Sequence, residues 1–205
     1  MQVKWYGGSS VKIKTSKKTI LIDPFSVKNL GLRGPKFNSD IMLFTKKERI
    51  KDLDQKSKKG SFIIDGPGEY TVKDIMIYGV FCPGKNPLTA YNIEIKGVRF
   101  GVLGELNKEL TEKEVEGLDG IDVLFVPVGG NFVLGAEKAR DVISLFEPSF
   151  ILPTCYKIPD IDKDLKGVDE FLKQSGIKQQ EKTNTFSVNS SDLSGEKSTI
   201  VVLER

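Results

Sequence analysis

The hydrophobic period changes halfway along this 205-residue chain. Up to about residue 103 the apolar residues alternate or fall in short runs, which reads as strands with tight turns between them. Residues 3–6, 11–14 and 19–22 are three such runs, separated by Gly7-Gly8-Ser9-Ser10 and Thr15-Ser16-Lys17-Lys18. Residues 41–44 form a short buried strand, followed by a charged stretch at 46–59. The turn Gly66-Pro67-Gly68 divides strands at 61–65 and 69–72. Strands at 75–81, 91–95 and 98–103 complete a meander, with Lys96-Gly97 as a hairpin turn.

Beyond residue 103 strands alternate with helices. Thr111-Glu112-Lys113-Glu114 is a capping box that opens a short helix. Residues 123–128 form a continuous apolar strand. Ala136, Ala139, Val142, Ile143 and Phe146 then fall on one helical face, which Glu147-Pro148 terminates. A strand at 150–152 precedes a helix from about Asp164, burying Leu165, Val168 and Leu172 and capped by Gly176. Strands at 186–188 and 199–203 close the chain. This order implies an α+β domain of two packed sheets with helices outside. No low-complexity linker divides it, so residues 1–205 read as one domain.

Hydrophobic residues make up 39% and charged residues 29%, the balance of a globular protein, and a net charge of +3 does not by itself imply a polyanion partner. No apolar run reaches the roughly 18 residues that span a bilayer, so no membrane partner is expected. Residues 1–6 read as a strand rather than a leader, and two cysteines suit the reducing cytoplasm. Histidine is absent altogether. That removes the commonest zinc ligand and the usual general base.

Five segments, in order, resemble the metallo-β-lactamase fold. They are Trp5-Tyr6-Gly7-Gly8-Ser9-Ser10, Ile20-Leu21-Ile22-Asp23-Pro24-Phe25, Asp65-Gly66-Pro67-Gly68-Glu69-Tyr70, Val126-Pro127-Val128-Gly129-Gly130 and Ile151-Leu152-Pro153-Thr154-Cys155-Tyr156. Taken together in this order they resemble the small bacterial metal-dependent hydrolases related to ascorbate-6-phosphate lactonase. The resemblance implies a four-layer αββα sandwich, two mixed sheets with helices outside, and a metal cleft at one edge. It also implies what stands at each ligand position. The Thr-His-x-His-x-Asp-His segment becomes Thr45-Lys46-Lys47-Glu48-Arg49-Ile50-Lys51, placing Lys46, Glu48, Ile50 and Lys51 at the four ligand positions. The ligand after the 75–81 strand falls near Cys82, the bridging carboxylate becomes Glu105, and the last histidine becomes Cys155.

Lysine repels a divalent cation and isoleucine cannot ligate one, so no metal and no cofactor is expected. Asp23 reads as a turn residue bonding nearby backbone N–H groups. The leading expectation is a catalytically degenerate member of the fold that works by binding or assembly. Between residues 46 and 59, seven basic residues face three acidic ones, which suits a small anionic or phosphorylated ligand. Aromatics are not interleaved there, so nucleic acid is not expected, while family analogy suggests a homo-oligomer. Two enzymatic readings stand beside this one. In the first, a hydrolase keeps zinc on an atypical set of Glu48, Glu105 and Cys155. In the second, a metal-independent enzyme uses Cys155, Glu105 and the cationic loop on a small anionic substrate, with Lys46 and Lys51 lowering the thiol pKa.

Overall fold

The structure is a computed structural model that describes residues 1–25, 34–159, 164–193 and 197–205. The strands, in chain order, are β1 (Gln2–Gly7), β2 (Ser10–Lys14), β3 (Thr19–Ile22), β4 (Ile41–Leu43), β5 (Phe62–Ile64), β6 (Gly68–Val72) and β7 (Ile75–Cys82). They continue as β8 (Leu88–Ile95), β9 (Val98–Val102), β10 (Val123–Pro127), β11 (Phe150–Thr154), β12 (Gln180–Thr183), β13 (Phe186–Ser187) and β14 (Thr199–Leu203). Among the described residues they make a six-stranded sheet, β13-β1-β2-β3-β4-β5, and an eight-stranded sheet, β12-β14-β11-β10-β9-β8-β7-β6. Both sheets are mixed. β3, β4 and β5 run parallel in the first, and β9, β10, β11 and β14 in the second.

Alternation along the first strands builds the core between the sheets. Val3, Trp5, Val11, Ile13, Ile20, Ile22, Ile41 and Leu43 meet Ile77, Ile93, Phe100, Leu124 and Val126 of the second sheet in one buried cluster. The intervening residues Leu21 and Met42 point the other way, as a two-residue period requires, and with Phe44 and Leu53 form a cluster on the outer face. A 3₁₀ helix at Lys47–Asp52 and the helix α1 (Gln55–Lys58) lie in this region.

The second sheet has its own outer layer. α2 (Glu112–Glu116) starts at the reciprocal Thr111–Glu114 capping box. α3 (Ala136–Ser144) buries Ala136, Ala139, Val142 and Ile143, and α4 (Val168–Gln174) buries Phe171. The architecture is the expected αββα sandwich. One local reading is corrected, and one strand went unread. The last helix begins at Val168 rather than Asp164, with Gly167 as its cap and Leu165 buried ahead of it. The edge strand β12 carries Gln-Glu-Lys-Thr, largely exposed, and has no apolar period by which to find it.

Candidate functional site

Parallel strands deliver their carboxyl ends to one rim, where open sheets of this kind gather functional groups. β3 ends in Asp23, β4 leads into Thr45, β9 leads through Gly104 into Glu105, and β11 leads into Cys155. Asp23 is fully buried and its backbone is left-handed, at φ 42°. Its carboxylate accepts the Thr45 amide N–H at 2.8 Å and the Thr45 hydroxyl at 2.6 Å. Thr45 in turn accepts the Thr89 amide on its carbonyl at 2.8 Å, which ties this corner of the first sheet to β8 of the second. Gly104 approaches the Thr45 side chain so closely, at φ 57°, that a Cβ would stand 2.6 Å from the threonine Oγ1. That approach carries Glu105 toward Asp23.

Arg49 fills the space between the two carboxylates. It reaches inward from the 3₁₀ helix, whose basic residues otherwise are lysines. Its Nη2 lies 2.6 Å from Glu105 Oε1, and its Nη1 lies 3.6 Å from Asp23 Oδ2 and donates to Ser9 Oγ at 2.8 Å. Lys46 Nζ donates to the other oxygen of Glu105 at 3.1 Å. Burial by itself disfavours the charged guanidinium, but Asp23 and Glu105 more than offset it, so its pKa stands above the ordinary arginine value. Two cations thus face two carboxylates in a cluster whose side chains are at most 21% exposed. Charge-assisted bonds of this geometry are the strong class of hydrogen bond.

Cys155 lies beside this cluster but does not join it chemically. Its left-handed backbone, φ 52°, turns its amide onto the Gly8 carbonyl at 3.1 Å. The thiol is buried among Val133 and Leu165, with Sγ 3.8 Å from the Gly104 carbonyl. Burial, then the neighbouring Glu105, push its pKa up to about 12 against the opposing pull of Arg49. At neutral pH it is a protonated, inert thiol. The nucleophile reading for Cys155 therefore lacks its thiolate.

Of the residues aligned with the ligand positions, the fold brings together Lys46, Glu105 and Cys155. Glu48 and Lys51 are exposed, and neither forms an ion pair or side-chain hydrogen bond among the described residues. A 3₁₀ turn repeats every three residues, so Lys46 and Arg49 share the inward side while Glu48 and Lys51 are carried off it. Ile50 packs on the outer cluster with Leu21, Met42 and Leu53. Cys82 is buried in the main core, its thiol pushed up to about 11 by burial and by Glu114. Its charged neighbours are Glu114 and Lys108 rather than the Arg49 cluster, so the two cysteines do not share a cleft. Alignment to the ligand positions misses Arg49 because it stands between two of them. Its signal is that it is the one arginine in the basic run at 46–59, and a guanidinium fork suits carboxylates better than an ammonium does.

The donor set does not fit a divalent metal. Both carboxylates already bind cations, the nearby thiol is protonated, and an incoming ion would meet the fixed charges of Arg49 and Lys46. Among the described residues no group of three or more Cys, Asp or Glu is placed to hold one.

Comparison with known proteins places the chain in a family. A family model described as the beta-lactamase superfamily domain matches residues 2–155. The chain belongs to that family. A UPF0173 metal-dependent hydrolase of Lysinibacillus sphaericus is 27% identical over 227 residues, covering 91% of this chain and 100% of that protein. A solved structure from Thermotoga maritima, designated a Zn-dependent hydrolase of the metallo-beta-lactamase superfamily, is 27% identical, with a TM-score of 0.80 and 98% and 97% of the two chains covered. The metallo-beta-lactamase fold protein YhfI of Bacillus subtilis, at 9% identity and a TM-score of 0.64, shares the fold over 100% of this chain and 96% of its own. No helix among the described residues is long and apolar enough to cross a membrane.

Proposed function

We propose that this protein is a non-hydrolytic member of the metallo-beta-lactamase fold, in which an arginine takes the place of the metal and the molecule acts by binding or assembly. The observation that carries the reading is Arg49, held 2.6 Å from Glu105 and 3.6 Å from Asp23, among the segments that the resemblance aligns with the family's metal ligands. A guanidinium supplies the positive charge that two buried carboxylates require. It supplies no open coordination position and cannot lower the pKa of a bound water as a Lewis acid does. Lys46 and Arg49 are also engaged by acidic partners, so a small anionic ligand at this rim would have to compete with two carboxylates.

The relatives named as metal-dependent hydrolases make the opposite outcome concrete. Untagged protein, purified without metal affinity, should contain far less than one equivalent of zinc, iron or manganese. Adding zinc or a chelator should leave its melting temperature unchanged, whereas a native-state ligand at 100 times its Kd would add about 2.7 kcal/mol. Near-stoichiometric metal that persists through dialysis, or a zinc-dependent rise of several degrees, refutes the reading.

A further inference from the structure

The four edge strands of the two sheets are not equally protected. A sheet edge offers unpaired N–H and C=O groups to any other strand, and proteins blunt it by shortness or by charge. Among the described residues β13 has two residues and β5 three, while β12 carries Glu181 and Lys182. β6, which ends the eight-stranded sheet, is the longest of the four, with five residues and Glu69 as its one charge. It is also open. Gly68, Glu69 and Thr71 are exposed, and on the same outer face Met76 and Tyr78 of β7 are each 37% exposed.

The hairpin turn fixes which backbone groups β6 offers. Lys73 and Asp74 are both left-handed, at φ 52° and 65°, the geometry of a two-residue type I′ turn. The residues flanking such a turn exchange backbone bonds, and bonded pairs then alternate along the ladder. β6 therefore bonds β7 through Val72–Ile75, Tyr70–Ile77 and Gly68–Gly79. The N–H and C=O groups of Glu69 and Thr71 point the other way, so a further strand must pair through those two residues.

We propose that β6 is the interface of a two-fold homodimer, pairing antiparallel with β6 of a second copy about Thr71 and joining the two eight-stranded sheets edge to edge. A two-fold contact requires a self-complementary strand, and this register supplies one. Thr71 meets Thr71, Tyr70 meets Val72 and Glu69 meets Lys73. These are the threonine, aromatic–β-branched and opposite-charge pairs that favour cross-strand contact. Charge selects this register over its neighbours. Centring on Tyr70 brings the two Glu69 carboxylates within diagonal reach, and centring on Glu69 sets them face to face. Glu69 forms no ion pair among the described residues. Lys73 gives Asp40 one of its three donors, at 2.8 Å, and remains 47% exposed. The same side of the sandwich is apolar. Tyr70 and Val72 are half-buried against the core, and Phe62, whose amide bonds the Asp40 carbonyl, is 49% exposed on the neighbouring edge strand β5. The proposal rests on β5, β6 and β7 and is independent of what occupies the metal position.

The test is sedimentation equilibrium of the whole chain over increasing concentration, in which the native protein should move from the monomer toward twice the chain mass. Thr71→Lys sets two ammonium groups opposite each other on the axis and should raise the dissociation constant at least about tenfold. Thr71 is exposed, so at a concentration where both are monomeric the variant should melt with the native chain, which separates lost pairing from lost folding. Cysteine cross-linking reads the register. A bonded antiparallel pair holds its Cα atoms about 5.5 Å apart, within disulfide range, so Thr71→Cys should give a disulfide-linked dimer on mild oxidation. Glu69→Cys, whose two copies stand about 14 Å apart in this register, and Glu181→Cys on β12 should not. The native cysteines are both buried and do not compete. A chain that stays monomeric at every concentration overturns the proposal. So does association that Thr71→Lys leaves unchanged, or oxidation that links Glu69→Cys or Glu181→Cys as readily as Thr71→Cys.

Discussion

Replacing Arg49 with methionine perturbs the cluster where the structure concentrates its charge. Methionine keeps an unbranched apolar stem and removes the guanidinium, so Lys46 is left to face both carboxylates. Lys46 still reaches Glu105, and the uncompensated charge falls on Asp23, whose side chain is 0% exposed. A unit pair at 3.6 Å is worth about 4–5 kcal/mol at an effective dielectric of about 20. Part of that returns, because the variant no longer desolvates a guanidinium and Asp23 keeps both bonds from Thr45. Breaking a buried pair from one side costs about 3–5 kcal/mol, and the Thr45 bonds place this case near about 3 kcal/mol. For a chain of this size the melting temperature should fall by about 6–12 °C. Urea unfolding followed by circular dichroism should show the lower midpoint with an unchanged slope. Adding Asp23→Asn to Arg49→Met should recover most of the loss, because the orphaned charge leaves with it. A loss below about 1 kcal/mol, the range of exposed pairs, or no recovery with asparagine, would refute the reasoning.

Gly129→Ala should cost about 1–3 kcal/mol in the same urea assay, because a Cβ there runs into the Cys155 carbonyl oxygen and comes within 2.8 Å of Leu165; a neutral result would mean the turn at Cys155 yields freely. Thr111→Ala should cost about 1 kcal/mol by removing one half of the capping box on α2, with the mean residue ellipticity checking that only the cap is lost. Burial pushes the Glu114 carboxyl up, but its bonds from Lys108 and Thr111 more than offset this and hold it below the usual range. Its contribution is therefore present above the ordinary glutamate pKa of about 4.3 and lost as pH falls below it, so Glu114→Gln should flatten the acid limb of a stability–pH curve. Both thiols titrate higher in the folded chain, at about 11 for Cys82 and about 12 for Cys155, so their contribution is full below the unfolded thiol pKa of about 8.5 and is lost as pH rises toward the folded values. Neither should react with an aromatic disulfide reagent in the folded chain near pH 8, and both should react in urea.

Most of the sandwich is legible in the sequence because its strands bury one face or both. Val3, Trp5, Val11 and Ile13 announce a half-buried pair by alternation, and the unbroken apolar run from Val123 to Val128 announces a strand buried on both sides. β12 is illegible for the converse reason: its four residues contribute little to any core, and backbone pairing with β14 alone defines it. The site follows the same logic. Lys46, Glu105 and Cys155 can be found because each follows closely on a strand whose motif fixes its place. Arg49 cannot be found that way, because a long side chain from a short helix can reach several neighbours and its backbone position does not say which. Asp23 illustrates a subtler limit. It is a turn residue with a bonded carboxylate, as expected, but its partner is Thr45, just past β4 and 22 residues away.

The Arg49 cluster also bears on how the molecule comes apart. Asp23, Thr45, Lys46 and Arg49 follow strands of the six-stranded sheet, Glu105 follows β9 and Thr89 lies in β8 of the eight-stranded one, and the pairs of Arg49 and Lys46 with Glu105 and the bond to the Thr45 carbonyl join the two at one end. Separating the sheets there means parting two ion pairs and a backbone bond at once, so that end should open only with the whole fold. The Thr45 amide should then exchange its hydrogen at the rate set by global unfolding, while the α1 amides at 55–58, in a helix that buries no side chain, exchange through local fraying. An arginine in the metal's place would thus make this rim, which moves in many hydrolytic sites, the last part of the protein to loosen.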